Sequence, residues 1–195
     1  FRRVNVAGTE GLARAAASAG VRRFVYVSSI GVNGDSTDEI PFTEQDVPNP
    51  HSDYAMSKWE AEQVLHRISA ETGLEVVIVR PPLVYGAGAP GNIARLLQVL
   101  ANGIPLPFAA ATNLRSLIHV GNLADALILC ATHPAAAGQT YLVSDGEDIS
   151  TPQLLSALGR AMGHPARLFS FPAPLLRLAG RLTGKSGHLE RLLGS

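Results

Sequence analysis

Cysteine is almost absent from this chain. The single Cys130 cannot form an internal disulfide, and its place in the apolar run LADALILCA suits a buried, inert thiol. A reducing compartment is therefore compatible, and the cytoplasm is the expected location. Charge of one sign is lacking too. Lysine plus arginine and aspartate plus glutamate number 16 each, so there is no basic surplus with which to neutralise a phosphate backbone, and no nucleic-acid partner is expected. Apolar runs stay shorter than the roughly 18 residues a spanning helix needs. The six histidines show no zinc-ligand spacing, so no metal is expected; His119, inside SLIHV, reads as a core or substrate-side residue. An initiating methionine and a signal-peptide pattern are also missing at Phe-Arg-Arg-Val, which suggests a start inside a longer gene product. No internal repeat or low-complexity tract occurs.

What is present is an alternation of apolar runs with helical patterns, which predicts an α/β architecture with a parallel sheet. Val6–Ala19 is rich in alanine and leucine and stops at Gly20, as a helix does. Phe24–Val27 follows as a strand covered on both faces. A loop rich in Gly, Asp, Asn and Pro runs to Ser52, then a helix from Asp53 to Thr72 closes at Gly73. Val76–Val79 is the next buried strand, ended by Arg80-Pro81-Pro82 because two prolines cannot continue a central ladder. Beyond a glycine-rich loop, Ile93–Ala101 reads as helix and Ser116–Val120 as strand. Leu123–Ala131 reads as a helix with Asn122 as its cap. Tyr141–Val143 is a short strand, and Thr151 is the expected cap, with Pro152 at the first helical position, of a helix that stops at Gly163. Pro172–Ser195 mixes leucine and arginine as a basic amphipathic edge of a small second domain.

The strongest chemical signal is Tyr54-Ala-Met-Ser-Lys58. Residues four apart on a helix share a face, with Cβ atoms about 5–6 Å apart, so the Lys58 ammonium is expected near the Tyr54 phenol. A neighbouring cation favours the phenolate and draws a pKa of about 10 down toward the range of a useful base. Phe24-Val-Tyr-Val-Ser28-Ser29 adds two hydroxyls at the end of a buried strand, where open α/β sheets bind ligands. A serine there can hold the substrate oxygen whose proton Tyr54 takes.

Taken together, VSSIGVNG, the Tyr54/Lys58 pair, RPPLVYG and RSLIHVGNLADA resemble extended short-chain dehydrogenase/reductases of the NAD-dependent epimerase/dehydratase family, in order and spacing, from the first helix to about residue 145. The resemblance implies the C-terminal part of a Rossmann-like, doubly wound parallel sheet plus a small mixed substrate-binding domain, with the first βαβ half absent from this chain. Residues 1–85 would be the remainder of the dinucleotide-binding domain. Residues 86–195 would be mainly the substrate-binding domain, with 115–143 partly returning to the sheet. By the same resemblance Ser29 meets the substrate hydroxyl, Tyr54 is the catalytic acid or base, and Lys58 also holds the nicotinamide ribose. Ser28 and Pro81 line the NAD or NADP site. Asn5 lies on the helix behind it. Arg115 and Asn92 take the diphosphate of a nucleotide-linked sugar, a role suited to the bidentate fork of a guanidinium and to the start of a helix. The segment Pro105–Phe108 flanks the base. The Val6–Ala19 and Asp53–Thr72 helices imply a homodimer.

The run Gly86-Ala-Gly88-Ala-Pro-Gly91 matches G-x-G-x-x-G but is rejected as the pyrophosphate loop: Arg80-Pro81-Pro82 separates it from the strand, and no acidic residue follows at about 20 positions. The expected activity is epimerisation or keto-reduction of a nucleotide-linked sugar, with GIPLPF and NLRSLIHVGNLADAL pointing to the surface-polysaccharide branch. The alternatives are a reductase of a steroid-like or flavonoid-like ketone, and a non-catalytic dinucleotide-sensing or scaffolding relative.

Overall fold

The computed structural model describes residues 1–37, 40–87 and 92–172. The chain divides into two compact units, Phe1–Val84 with Ile118–Asp145, and Tyr85–Leu117 with the segment from Gly146 onward.

The first unit is built on a three-stranded parallel sheet. Strands β1 (Arg23–Val27), β2 (Glu75–Arg80) and β6 (Thr140–Leu142) lie in the order β1-β2-β6. Phe24 pairs with Val76 and Val27 with Val79 on one side of β2, and Ile78 pairs with Thr140 on the other. Because side chains alternate along a strand, the run EVVIVR serves two cores. Val76 and Ile78 join Tyr26 under α1 (Thr9–Ser18) and α2 (Asp53–Thr72), packing on Ala13, Ala61, Leu65 and Ile68. Val77 and Val79 face the other way, onto Leu123 and Cys130 of α4 (Val120–Thr132) and onto Ile118. A continuous valine-isoleucine run is what a strand covered on both faces requires.

Helix α2 begins where expected, with Ser52 as cap: its hydroxyl accepts from Ala55 N at 3.2 Å. It ends at Gly73, whose φ of 75° is a left-handed conformation that costs glycine little. The first helix is different from expectation. Its opening, Arg3–Gly8, is π-helical, and regular α-helix starts only at Thr9; such widened turns concentrate at functional sites.

Two caps move. Helix α4 is capped by His119, whose Nδ1 accepts from Gly121 N at 3.2 Å, and the expected cap Asn122 lies inside the first turn, donating to Asp145. Strand β5 is accordingly only Leu117–His119. Helix α5 (Thr151–Ala161) is capped by Ser150 in place of Thr151, in a reciprocal box with Gln153. Thr151 is instead buried as the first helical residue.

In the second unit, α3 (Asn92–Ala101) packs on α5 through a core of Leu100, Phe108 and Leu155. The short strands β4 (Leu114–Arg115) and β7 (Ile149–Ser150) pair antiparallel. Strands β3 (Leu83–Tyr85) and β5 lie where the chain passes from one unit to the other. Most of the basic stretch expected over Pro172–Ser195, and the Gly88–Gly91 part of the rejected glycine motif, lie outside the described residues.

Candidate active site

At its C-terminal end β1 leads directly into Ser28-Ser29, and the extended backbone of Ser29 (φ −157°, ψ 145°) sends the two side chains to opposite sides. Ser29 is half-buried and starts a short 3-10 turn, Ile30–Val32; its Oγ accepts from Gly31 N at 3.2 Å. That leaves the hydroxyl proton without an acceptor among the described residues. A Cβ placed on Gly31 would lie 3.5 Å from Ser29 Oγ and 3.4 Å from the Cβ of Ala55. The turn therefore rests directly on the first turn of α2, beside Tyr54.

Tyr54 is 41% exposed, and its phenol pKa lies above the usual tyrosine value because the ring is partly desolvated. Lys58 is one helical turn on. Its Nζ donates to the Val27 carbonyl at 2.9 Å and sits 4.8 Å from the centre of the Tyr26 ring and 5.8 Å from that of Tyr54. This corrects the expected electrostatics. The ammonium is engaged by the end of β1 and by two ring faces, with no hydrogen bond to the phenolic oxygen among the described residues, so burial governs Tyr54. Burial also pushes the Lys58 pKa down, against the pull of Glu62, which raises it.

Asn5, in the π-helical turn, donates to Ser57 Oγ at 3.0 Å, and Ser57 in turn donates to the Tyr54 carbonyl at 2.7 Å. The widened turn thus steadies the start of α2. Pro81 is buried at the end of β2, with its carbonyl accepting from Ile30 N at 3.0 Å.

Ser28 departs from its expected place on the ligand side. It is 3% exposed, and its hydroxyl donates inward to Glu62 Oε1 at 2.5 Å. Sequence reasoning missed what lies beneath it. Glu62 and Arg80 are both buried and joined by two hydrogen bonds, Arg80 Nε to Oε1 at 3.0 Å and Nη2 to Oε2 at 2.6 Å. Arg80 also donates to Asn33 Oδ1 at 2.9 Å, and Asn33 donates to the Thr43 carbonyl at 2.9 Å. The signal was available: Glu62 follows Lys58 by four, as Lys58 follows Tyr54, and Arg80 is a charge that closes an apolar strand.

The second unit holds the remaining expected residues. Arg115 is half-buried in β4 opposite Ile149, and desolvation draws its pKa down from the ordinary arginine value. Asn92 opens α3. No group of three or more His, Cys, Asp and Glu suited to a metal occurs among the described residues, nor does a helix long and apolar enough to cross a membrane.

With this geometry in place, comparison with known proteins is informative. Residues 1–144 match the NAD dependent epimerase/dehydratase family. A UDP-glucose 4-epimerase of Vibrio cholerae is 44% identical over 197 residues, covering 100% of this chain and 60% of its own length. An N-acetyl-alpha-D-glucosaminyl-diphospho-ditrans,octacis-undecaprenol 4-epimerase of Escherichia coli O157:H7 is 29% identical, covering 93% of this chain and 57% of its own length. Among solved structures, MoeE5 in complex with UDP-glucose and NAD superposes with a TM-score of 0.74 at 29% identity, over 87% of this chain and 58% of that one. The chain therefore spans about 60% of the length of the relatives it matches.

Proposed function

The chain belongs to the NAD dependent epimerase/dehydratase family, and we propose from that premise that it forms the proton-transfer and sugar-binding part of an NAD(P)-dependent enzyme that epimerises or keto-reduces a UDP-linked sugar at C4. The observation that carries this reading is the seat of Lys58. Its ammonium uses one N–H on the Val27 carbonyl at the carboxyl end of the sheet, beside a half-exposed phenol and a serine hydroxyl with a proton to give. Ligands of parallel sheets bind at that end.

The residues present fit the nicotinamide-ribose end of a dinucleotide. Lys58 keeps two N–H groups for a ribose diol, and Pro81 closes the adjacent strand. A bound nicotinamide would supply the hydride chemistry. The chain's residues handle the oxygen. Ser29 donates its hydroxyl proton to the sugar oxygen and orients it. Tyr54 receives the hydroxyl proton as C4 is oxidised, and returns it as the ketone is reduced. Because burial raises the Tyr54 pKa, the phenol is protonated at neutral pH in this state, which suits protonation of a keto oxygen; to receive the C4 hydroxyl proton it must first lose its own. Arg115 and Asn92, in the second unit, would take the diphosphate.

The first unit is accordingly read as dinucleotide-binding and the second as mainly substrate-binding. The substrate class rests on the relatives: the 44% identical one is a UDP-glucose 4-epimerase and MoeE5 holds UDP-glucose with NAD. A place in surface-polysaccharide precursor synthesis is part of the proposal and rests on the segments GIPLPF and NLRSLIHVGNLADAL. The exposed Val4, Leu12 and Met56 suit a homodimer through the first helix and α2; Leu12→Glu should then convert a dimer to monomer in sedimentation, and a monomeric parent would exclude it. The activity test is incubation of the whole protein with NAD and UDP-glucose, following the 4-epimer by proton NMR. Tyr54→Phe should slow turnover at least about 10²-fold, and normal turnover by that variant would remove the reading.

A further inference from the structure

We propose that Glu62 and Arg80 are positioning residues for the Tyr54/Lys58 site: together they fix the Ser28-Ser29 turn, and the Glu62 carboxylate supplies the negative charge beneath Lys58. The inference deepens the proposed function and rests on it for the meaning of the site, though not for its test.

Stability alone is a poor account of this pair. Taking two charges out of water costs several kcal/mol per ion, and well-packed apolar residues of similar volume are often as stable or more so. Glu62 is fully buried and Arg80 only 4% exposed, so the full desolvation cost applies. What the pair does have is reach. Glu62 stands on α2, Arg80 ends β2, Ser28 directly follows β1, and Asn33 and Thr43 lie in the loop after β1; one chain of hydrogen bonds joins all of them. Those segments carry Ser29, Tyr54, Lys58 and Pro81. Ser28 is pinned twice, by Oγ on Glu62 and by its N–H on the Val79 carbonyl at 2.7 Å, so its neighbour Ser29 has a fixed origin on the opposite side.

The charge argument is equally local. Tyr54, Lys58 and Glu62 are successive i, i+4 positions on one face of α2. Around Lys58 lie the Tyr26 ring and Val27 carbonyl from β1, Tyr54 and Glu62 from its own helix, and Arg80 of β2 behind Glu62. Of the charges on the segments packed over α2, Arg2 pairs with Glu60 and Arg14 with Glu10 and Glu71, and Arg3 of the π-helical turn is exposed. Glu62 is thus the carboxylate that opposes the desolvation of Lys58.

This chain has only two lysines, Lys58 and Lys185, so in the whole protein labelled with ¹³C-lysine the Lys58 signal is titrated by NMR and assigned by its loss in Lys58→Arg. Glu62→Gln keeps shape and removes charge, and should move the Lys58 titration to lower pH. Glu62→Asp keeps charge and loses reach, and should leave that titration near the parent's. A purely structural pair predicts the reverse order, with Asp the more disturbed, or no movement in either; each result overturns the proposal. If Glu62→Gln alone does not fold, Glu62→Gln combined with Arg80→Met leaves no buried unpaired charge, and an unmoved Lys58 titration in it overturns the proposal equally. No nicotinamide or sugar is needed for these titrations. Absence of activity toward UDP-sugars would therefore sink the proposed function while leaving the titration to judge the pair.

Discussion

Lys58 Nζ and the carbonyl oxygen of Val27, 31 positions apart in sequence, are joined by a hydrogen bond of 2.9 Å. It crosses from the middle of the second turn of α2 to the last residue of β1, and it orients an ammonium that the Tyr26 and Tyr54 rings flank. Among the described residues no strand pairs with β1 on its outer side, so the contact satisfies this carbonyl as well as aiming the lysine.

Removing the ammonium should separate these two effects. Lys58→Met retains the apolar stem that packs on Tyr26 and deletes the donor. The whole protein carrying it should keep its far-UV circular dichroism but lose about 10²–10⁴-fold in kcat, the span typical of proton-transfer groups. Turnover within a few-fold of the parent would place the proton transfer elsewhere.

Tyr26 makes a prediction in alkali. Burial pushes its phenol up to about 12 from an unfolded value of 10.0. Between those values the unfolded chain has lost a proton that the folded chain still holds, so stability must fall as pH rises. The contribution is present in full below pH 10 and disappears as pH passes through about 12, and is worth up to about 2–3 kcal/mol. Denaturant unfolding between pH 9 and 11 should therefore show a decline that Tyr26→Phe flattens. Ultraviolet titration should also find one of the four tyrosines ionising last, and a uniform ionisation near 10 would contradict the burial.

Much of this was legible in sequence, and the reasons are specific. The run VVIV around Ile78 announced a strand covered twice, and Ser52 and Gly73 marked the ends of α2 because capping chemistry is local. Asn122 and Thr151 misled because His119 and Ser150 stand nearby with equally good acceptors, and backbone geometry, invisible in sequence, selects between such neighbours. Tyr54 and Lys58 were found by their spacing. The ammonium's partner was not, since the Val27 carbonyl is distant in sequence and carbonyls carry no residue signature. Ser28 could have been placed correctly: Phe24, Tyr26 and Ser28 share strand parity, and the first two face α2. Carrying the alternation two residues further would have turned its hydroxyl inward to Glu62.

Two glycines at helical positions should respond oppositely to alanine. A Cβ on Gly159 would lie 2.7 Å from both Ala166 N and the His164 carbonyl oxygen, backbone atoms that cannot swing aside, where the chain folds back after α5. Gly159→Ala should therefore cost about 1–3 kcal/mol, seen as a lower thermal midpoint. Gly11, in α1, has nothing within 4 Å of such a Cβ, and alanine there should add up to about 1 kcal/mol by helix propensity. Equal effects at the two sites would mean that the turn over Gly159 is looser than described.

Arg115 decides the substrate class. A half-buried guanidinium on a two-stranded ribbon, with desolvation already working against its charge, gains from an anionic ligand more than an exposed arginine would, because the pair forms away from water. Truncating one partner of such a desolvated pair costs roughly 2–5 kcal/mol, and each 1.4 kcal/mol is about tenfold in affinity. Arg115→Ala should accordingly weaken UDP-glucose binding to the whole protein by at least about 30-fold in calorimetric titration. Arg115→Lys should recover only part of this, since a point charge lacks the planar fork that matches phosphate oxygens. Binding of free UDP should weaken in parallel, because the diphosphate is the group recognised. If Arg115→Ala leaves UDP-glucose affinity unchanged while the protein reduces an apolar ketone, the diphosphate role is lost and a ketone reductase built on the same Ser29, Tyr54 and Lys58 becomes the better description.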